Sequence, residues 1–292
     1  MTTVSVLLTC HERVERTLAC LTRLEAQQLP SEVHLRTFLV DAASADGTAQ
    51  AVRTRFPEVT VIERGADLFW NGGMRVAMAA AYNEDPDAYL WLNDDVELDA
   101  DAIERLLAAW SDRATAGTPA TIVVGSTRDP RSGVTTYGGV VRPDPRRRPL
   151  RFDLVEPGDT AAPVDTMNGN CVLIPRDVVT RIGSLAAAYT HGMGDFDFGL
   201  RARLAGGEVW VAPGTVATCS RNAAPARAGD LASLKRQLTS PTGGLPPAEW
   251  RTFAQRWGGP LWPLFAASPY VRAMADLLAR RAASLTGTGR RR

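Results

Sequence analysis

Two short acidic groupings carry the chemistry this sequence offers. One is Asn93-Asp94-Asp95, at the end of an apolar run over 88–92; the other is Asp195, within Gly194-Asp-Phe-Asp-Phe-Gly-Leu-Arg201. Carboxylate oxygens at a strand end suit magnesium or manganese holding a diphosphate, because hard divalent cations prefer oxygen ligands. If strand geometry persists through 93–95, alternation puts Asn93 and Asp95 on one face and Asp94 on the other. One carboxylate then reaches a cation and its neighbour a sugar or ribose. The competing reading is an acidic helix start, with Asp99 or Asp101 as N-cap; both readings hold together if those two cap and leave Asp94 and Asp95 upstream. Asp195 also falls at a helix cap. The positive helix terminus would keep it anionic and able to accept a proton from a hydroxyl, and a plain N-cap is the structural alternative. Asp197 and Arg201, four apart, are expected to pair on the helix surface, with Phe196, Leu200 and Leu204 forming the buried side.

The hydrophobic pattern supplies a frame for these groups. Runs at 4–9, 33–40, 59–62 and 88–92 read as buried strands. Between them apolar residues recur at helical spacing: Val14, Leu18, Leu21 and Leu24, then residues 49–56 and 74–82, and finally Ile103, Leu106, Leu107 and Trp110. Such alternation predicts a mainly parallel sheet covered on both sides, with ligands collecting at the carboxyl ends of its strands. Beyond Thr118 the pattern predicts a strand at 121–125, a hairpin at Gly138-Gly139 and an exposed loop at 143–149 containing Arg146-Arg147-Arg148. A strand at 170–174, a helix at 194–205 and a strand pair through 209–211 and Val216 follow. Helices are expected at 226–239, 247–257 and 270–285, the last with Val271, Met274, Leu278 and Leu285 on one side. Pro260, Pro263 and Pro269 argue against one long helix, and Arg290-Arg291-Arg292 reads as a frayed tail.

The chain of 292 residues carries 33 Lys+Arg against 32 Asp+Glu, a formal charge of +1 that indicates no nucleic-acid partner. Its 45% hydrophobic content is that of a folded globular chain. Cys10, Cys20, Cys171 and Cys219 form no Cys-x-x-Cys pair and only three histidines are present, which disfavours structural zinc and a disulfide scaffold. The sequence opens on a strand without a basic leader, and no apolar run approaches the ~18 residues of a membrane span, so the expected location is the cytoplasm. Residues 251–292 hold eight arginines against Asp276, interleaved with Trp257, Trp262, Leu264, Phe265 and Tyr270. This suits either peripheral contact with the inner face of the cell membrane, or packing on the catalytic domain or a second subunit of a homodimer.

Five segments, in order, resemble family 2 glycosyltransferases of the GT-A fold. They are Thr9-Cys-His-Glu-Arg13, Val40-Asp-Ala-Ala-Ser-Ala-Asp-Gly-Thr48, Leu92-Asn-Asp-Asp95, Gly169-Asn-Cys-Val-Leu-Ile-Pro-Arg176 and Gly194-Asp-Phe-Asp-Phe-Gly-Leu-Arg201. The resemblance implies a Rossmann-like, mixed but mainly parallel α/β sheet flanked by helices, with a helical C-terminal extension. Residues 1–222 would form the catalytic domain (1–117 binding the nucleotide-sugar, 118–222 on the acceptor side) and 223–292 the extension. It further implies that Thr9, His11, Glu12 and Arg13 line the nucleotide pocket and that Asp41 contacts base or ribose. Asn71, Gly72 and Gly73 would form a turn close to the donor. Asn93, Asp94 and Arg221 would also contact the donor, Asp95 the metal (Mn2+ or Mg2+), and Trp70, Asn170 and His191 the acceptor side. Asp195 would be the base of an inverting transfer from a nucleoside diphosphate sugar, UDP- or dTDP-linked, to a hydroxyl acceptor, either a glycan or lipid-linked. A catalytically silent sugar-nucleotide or glycan-binding module of the same fold is the alternative. A nicotinamide-dependent oxidoreductase is disfavoured, because Thr9-Cys-His-Glu-Arg-Val14 lacks the Gly-x-Gly-x-x-Gly turn. Two positions depart from the family pattern. Cys219 stands where many relatives place a His, a soft ligand that implies low metal affinity or a role for Arg221 on the diphosphate, and Gly194 stands where an acid often precedes the base.

Overall fold

The computed structural model describes residues 1–222 and 227–287. The alternating first part of the chain becomes β1 (Thr2–Cys10), α1 (Val14–Glu25), β2 (Val33–Ala42), α2 (Thr48–Arg55), β3 (Thr60–Arg64), α3 (Phe69–Tyr82) and β4 (Ala88–Leu92). These four strands are parallel, in spatial order β4-β1-β2-β3. Their central residues are apolar on both faces because helices cover both. Leu21, Leu24, Ile103 and Leu106 pack on one side, Met74, Ala77, Met78 and Phe198 on the other. After β4 come β5 (Glu97–Leu98), α4 (Ala102–Thr115), β6 (Thr121–Arg128), β7 (Thr135–Tyr137), β8 (Gly139–Val141), β9 (Asp153–Leu154), β10 (Ala162–Pro163) and β11 (Thr166–Met167). Then follow β12 (Cys171–Pro175), α5 (Arg176–Ile182), α6 (Gly194–Leu204) and β13 (Glu208–Thr218). The large sheet runs β10-β13-β6-β12-β4-β1-β2-β3, with β12 antiparallel to both β4 and β6. That insertion is what carries residues 168–170 to the end of β4.

Several local expectations give way to tertiary context. Gly138 is not a hairpin turn: β7 pairs with β6 while β8 pairs with β11 and β9, so the chain changes sheet there. The expected strand pair at 209–211 and 216 is one strand, β13, whose register shifts between Val211 and Thr215 accommodate Pro213. Asp101 occupies the N-cap of α4 but makes no cap bond, and Asp99 forms a two-pronged pair with Arg128 at 2.8 Å. The Ile103 N–H donates instead to Gln27 Oε1 at 3.1 Å. α5 has no counterpart in the sequence reading.

Gly72 and Gly73 sit in the first turns of α3 rather than in a loop. A Cβ on Gly73 would stand 2.2 Å from Thr9 Oγ1, so this glycine lets α3 press on β1. Gly73→Ala is expected to destabilise by about 1–3 kcal/mol through overpacking, read as a lower midpoint in thermal unfolding; an unchanged midpoint would show that the contact is relaxed at no cost.

The chain divides into two compact units, Met1–Pro143 with Phe152–Arg221, and Asp144–Arg151 with Asn222–Arg292. The second contains α7 (Leu231–Thr239), α8 (Pro247–Trp257) and α9 (Trp262–Gly287). Asp230 and Ser233 close a capping box on α7. α9 is a single 26-residue helix despite Pro269. Pro263 lies in its first turn, where a missing N–H is harmless. The Phe265 carbonyl that Pro269 cannot serve accepts from Ser268 Oγ at 3.2 Å and from the Trp250 indole at 3.4 Å. Position 226, where the first tail helix was expected to begin, the Leu285 side chain and Arg290-Arg291-Arg292 lie outside the described residues. No helix among the described residues is long and apolar enough to cross a membrane.

Candidate active site

β4 ends at Leu92 and the chain turns at once, Val96 N–H donating to Asn93 O at 3.2 Å. Strand alternation therefore stops before the acidic pair. Arg13 Nη1 lies 3.2 Å from both Asp94 Oδ1 and Asp95 Oδ2, so the two carboxyls share one cation rather than facing opposite ways. Asp94 is 4% exposed, and its Oδ2 is buried without a hydrogen-bond partner among the described residues. Burial pushes its carboxyl up to about 6 against the pull of Arg13. Asp95 Oδ1 faces the Cys219 thiol at 3.7 Å. Burial, then the charge of Asp95, pushes that thiol up to about 12, so it is a neutral donor. Asn170 joins the group, its Nδ2 3.9 Å from Cys219 Sγ and its carbonyl accepting from Asn93 N–H at 3.0 Å.

The first loop is tied to the loop after β2. His11 Nδ1 sits 2.7 Å from Ala42 O. Glu12, in the left-handed region at φ +52, accepts from Ala45 N–H at 2.7 Å while its own N–H donates to Ser44 Oγ. Asp41, buried at the end of β2, accepts from Ser44 N–H at 2.9 Å. Thr9, at the end of β1, packs on Gly73. Arg221 is exposed at the end of the first unit.

Asp195 lies in the first turn of α6, not at its cap: that position is Met193, with φ +65. Its Oδ2 accepts from Gly169 N–H at 3.1 Å and its Oδ1 from Phe196 N–H at 2.9 Å. Burial nevertheless raises its carboxyl to about 6, the reverse of the lowering expected from the helix terminus, because desolvation outweighs the two backbone donors. A Cβ on Gly169 would stand 2.5 Å from the Trp70 ring and 3.4 Å from Asp195 Cβ; Trp70 in turn donates to Asn93 Oδ1 at 2.7 Å. Gly169 thus touches Asp195 while the adjacent Asn170 touches Cys219, whose thiol faces Asp95, so one dipeptide links the two acidic groupings. Asn71 does not join them: its Nδ2 donates to the Ala186 and Tyr189 carbonyls and its N–H to Thr190 O, fixing the loop that bears half-buried His191. Asp197 pairs with Arg201 at 2.8 Å but is fully buried rather than on the surface. Arg201 also serves the Ile182 and Ser184 carbonyls. Phe198 and Leu200 are buried, Phe196 is half-buried and Leu204 is exposed.

Sequence reasoning missed the Gly169 amide and a cavity of about 280 Å³ beside Asp95, lined by Glu15, Arg16, Glu97, Thr218, Cys219 and Ser220. The signal for Arg16 was its spacing three residues after Arg13 at the start of α1. Among the described residues no three His, Cys, Asp or Glu side chains converge as a metal cage. Asp95, beside Asp94 with its orphaned Oδ2, fits instead a hard cation that takes its other ligands from phosphate oxygens and water.

The chain has relatives in sequence and in structure. The chain is 28% identical over 207 residues to the N-acetylglucosaminyl-diphospho-decaprenol L-rhamnosyltransferase of Mycobacterium tuberculosis, covering 63% of this chain and 66% of the relative. Among solved structures, S. aureus TarS aligns with a TM-score of 0.57 at 11% identity, over 87% of this chain and 42% of that one. Its 1–349 form has been solved in complex with UDP-GlcNAc. The mannosyltransferase PcManGT from Pyrobaculum calidifontis, in complex with GDP-Man and Mn2+, aligns with a TM-score of 0.52 at 20% identity, over 98% of this chain and 79% of that one. At these identities the solved structures establish the GT-A fold alone. Residues 5–179, which bear the first loop, the acidic pair and the Gly169 segment, match the Glycosyl transferase family 2 profile, and by that match the chain belongs to this family.

Proposed function

We propose that the protein transfers a deoxyhexosyl or hexosyl group, with inversion, from a nucleoside diphosphate sugar to a hydroxyl of a lipid-linked acceptor, on the cytoplasmic face of a membrane. The observation that carries the reading is the approach of Asp195 to the Asp94–Asp95 turn through Gly169 and Asn170. The loops bearing His11, Glu12, Arg13 and Asp41 hold the nucleoside, and UDP or dTDP suits them as carrier. Asp95 would hold Mn2+ or Mg2+ together with the diphosphate, and the ion, when bound, neutralises charge on the leaving group. Arg13, within reach of both carboxyls, is placed to move to the diphosphate as a fixed cation. Trp70 bears on the backbone beside the base and offers a platform for the acceptor sugar. Asp195 accepts the acceptor's proton as its oxygen attacks the anomeric carbon; the two backbone N–H groups fix the carboxylate's direction. The lipid-linked acceptor is supported by the diphospho-decaprenol substrate in the name of the mycobacterial relative.

A base at about 6 must lose its proton before it works, so kcat is expected to be flat near neutrality and to fall about tenfold per pH unit below 6. A kcat profile with a saturating glycan-alcohol acceptor checks this. A rate independent of pH down to the ordinary carboxylate range would remove Asp195 from the role. Thermal shifts with a panel of nucleoside diphosphate sugars, with and without manganese, test the donor class, since a bound ligand raises the midpoint by mass action.

A further inference from the structure

The net charge of +1 conceals a partition. The unit made of Asp144–Arg151 and Asn222–Arg292 holds 15 Lys+Arg against 4 Asp+Glu, or +11, while the remainder holds 18 against 28, or −10. Within the basic unit, α9 has two apolar faces. One is covered: Leu277 is buried with Ala228 and Leu234, and Ala273 packs on them. The other is not. Leu264, Val271, Met274 and Leu278 are 66%, 64%, 40% and 57% exposed, and at 3.6 residues per turn they fall within a roughly 80° arc. Arg272 lies exposed on the same helix.

We propose that this face of α9 is a docking surface for a bilayer rich in acidic lipids, lying in the interface plane with its aliphatic side chains in the acyl boundary and the arginines at the headgroups. Charge decides the occupant. A second copy meeting the same face would set one +11 unit against another, whereas an anionic bilayer is complementary. A nucleic acid would meet the charge but leave an aliphatic stripe in contact with phosphate. The proposal deepens the reading of a lipid-linked acceptor, on which its purpose rests, though its physics does not.

The test is flotation of the full-length protein with vesicles of phosphatidylcholine alone or with about one-third phosphatidylglycerol, alongside sedimentation without vesicles and donor hydrolysis in solution. Binding is expected only to the acidic vesicles and to weaken with salt. Arg272→Gln should weaken it up to about fivefold. Val271→Gln with Leu278→Gln should weaken it at least about tenfold, with circular dichroism and donor hydrolysis unchanged, since both positions are exposed. Equal binding to both vesicles, no binding, or undiminished binding by the double variant would overturn the proposal. So would a vesicle-free dimer that the double variant dissolves, or full displacement by a short single-stranded DNA. Loss of flotation with donor hydrolysis intact discards the docking surface alone; failure of hydrolysis in the parent discards the enzymatic reading and leaves the flotation result standing.

Discussion

Asp195→Asn is expected to lower kcat by about 10²–10⁴-fold, about 3 to 5 kcal/mol of barrier, while the donor still binds. The change is nearly isosteric, so what is lost is the capacity to take the acceptor's proton. It also has a structural cost. Asp195 accepts one N–H on each oxygen, from Gly169 and from Phe196; an amide has one acceptor oxygen, so one backbone donor loses its partner, at about 1–3 kcal/mol of stability. The experiment therefore pairs steady-state kinetics with the donor-induced shift in melting temperature. A variant that keeps its shift and loses turnover supports the assignment, and turnover at the parental rate would end it.

Asp95→Ala is expected to act earlier in the cycle, abolishing the manganese-dependent part of donor binding and lowering kcat/KM at least about 100-fold. Removing this carboxylate takes one of Arg13's two partners and one of the two acceptors within reach of the Cys219 thiol. The remaining carboxyl, Asp94, is the more buried of the two and is pushed up to about 6, so a proton competes with a hard cation for it. The distinction from Asp195→Asn lies in the thermal shift: a saturating donor at 100 times its Kd stabilises by about 2.7 kcal/mol, and the increment contributed by manganese should vanish in Asp95→Ala alone. Parental metal dependence in that variant would show that the cation is held elsewhere.

Much of the frame was legible in the residues. The parallel strands β1 to β4 and the helices between them follow from short apolar runs alternating with segments of 3.6-residue apolar spacing, and the ends of β1, β2 and β4 mark where ligands collect. Asp95 and Asp195 are likewise conspicuous by residue type and by position beside an element end. What local pattern does not contain is partnership between distant segments. Only the insertion of β12 between β4 and β6 sets Gly169 and Asn170 beside Asn93 and so links the segment that holds Asp195 to the turn that bears Asp95. Only that enclosure raises Asp195 and Asp94, because a helix terminus acts locally and desolvation depends on everything packed around the group. The turn after Leu92 defeated strand alternation, and the Trp250 and Ser268 donors at the Phe265 carbonyl let a helix run through Pro269. The same holds for charge: composition reports +1, and the division into +11 and −10 exists only once Asp144–Arg151 is grouped with the C-terminal helices. Sequence determined which groups can do chemistry and the elements that bear them; long-range packing decided which of them meet and in what state of protonation.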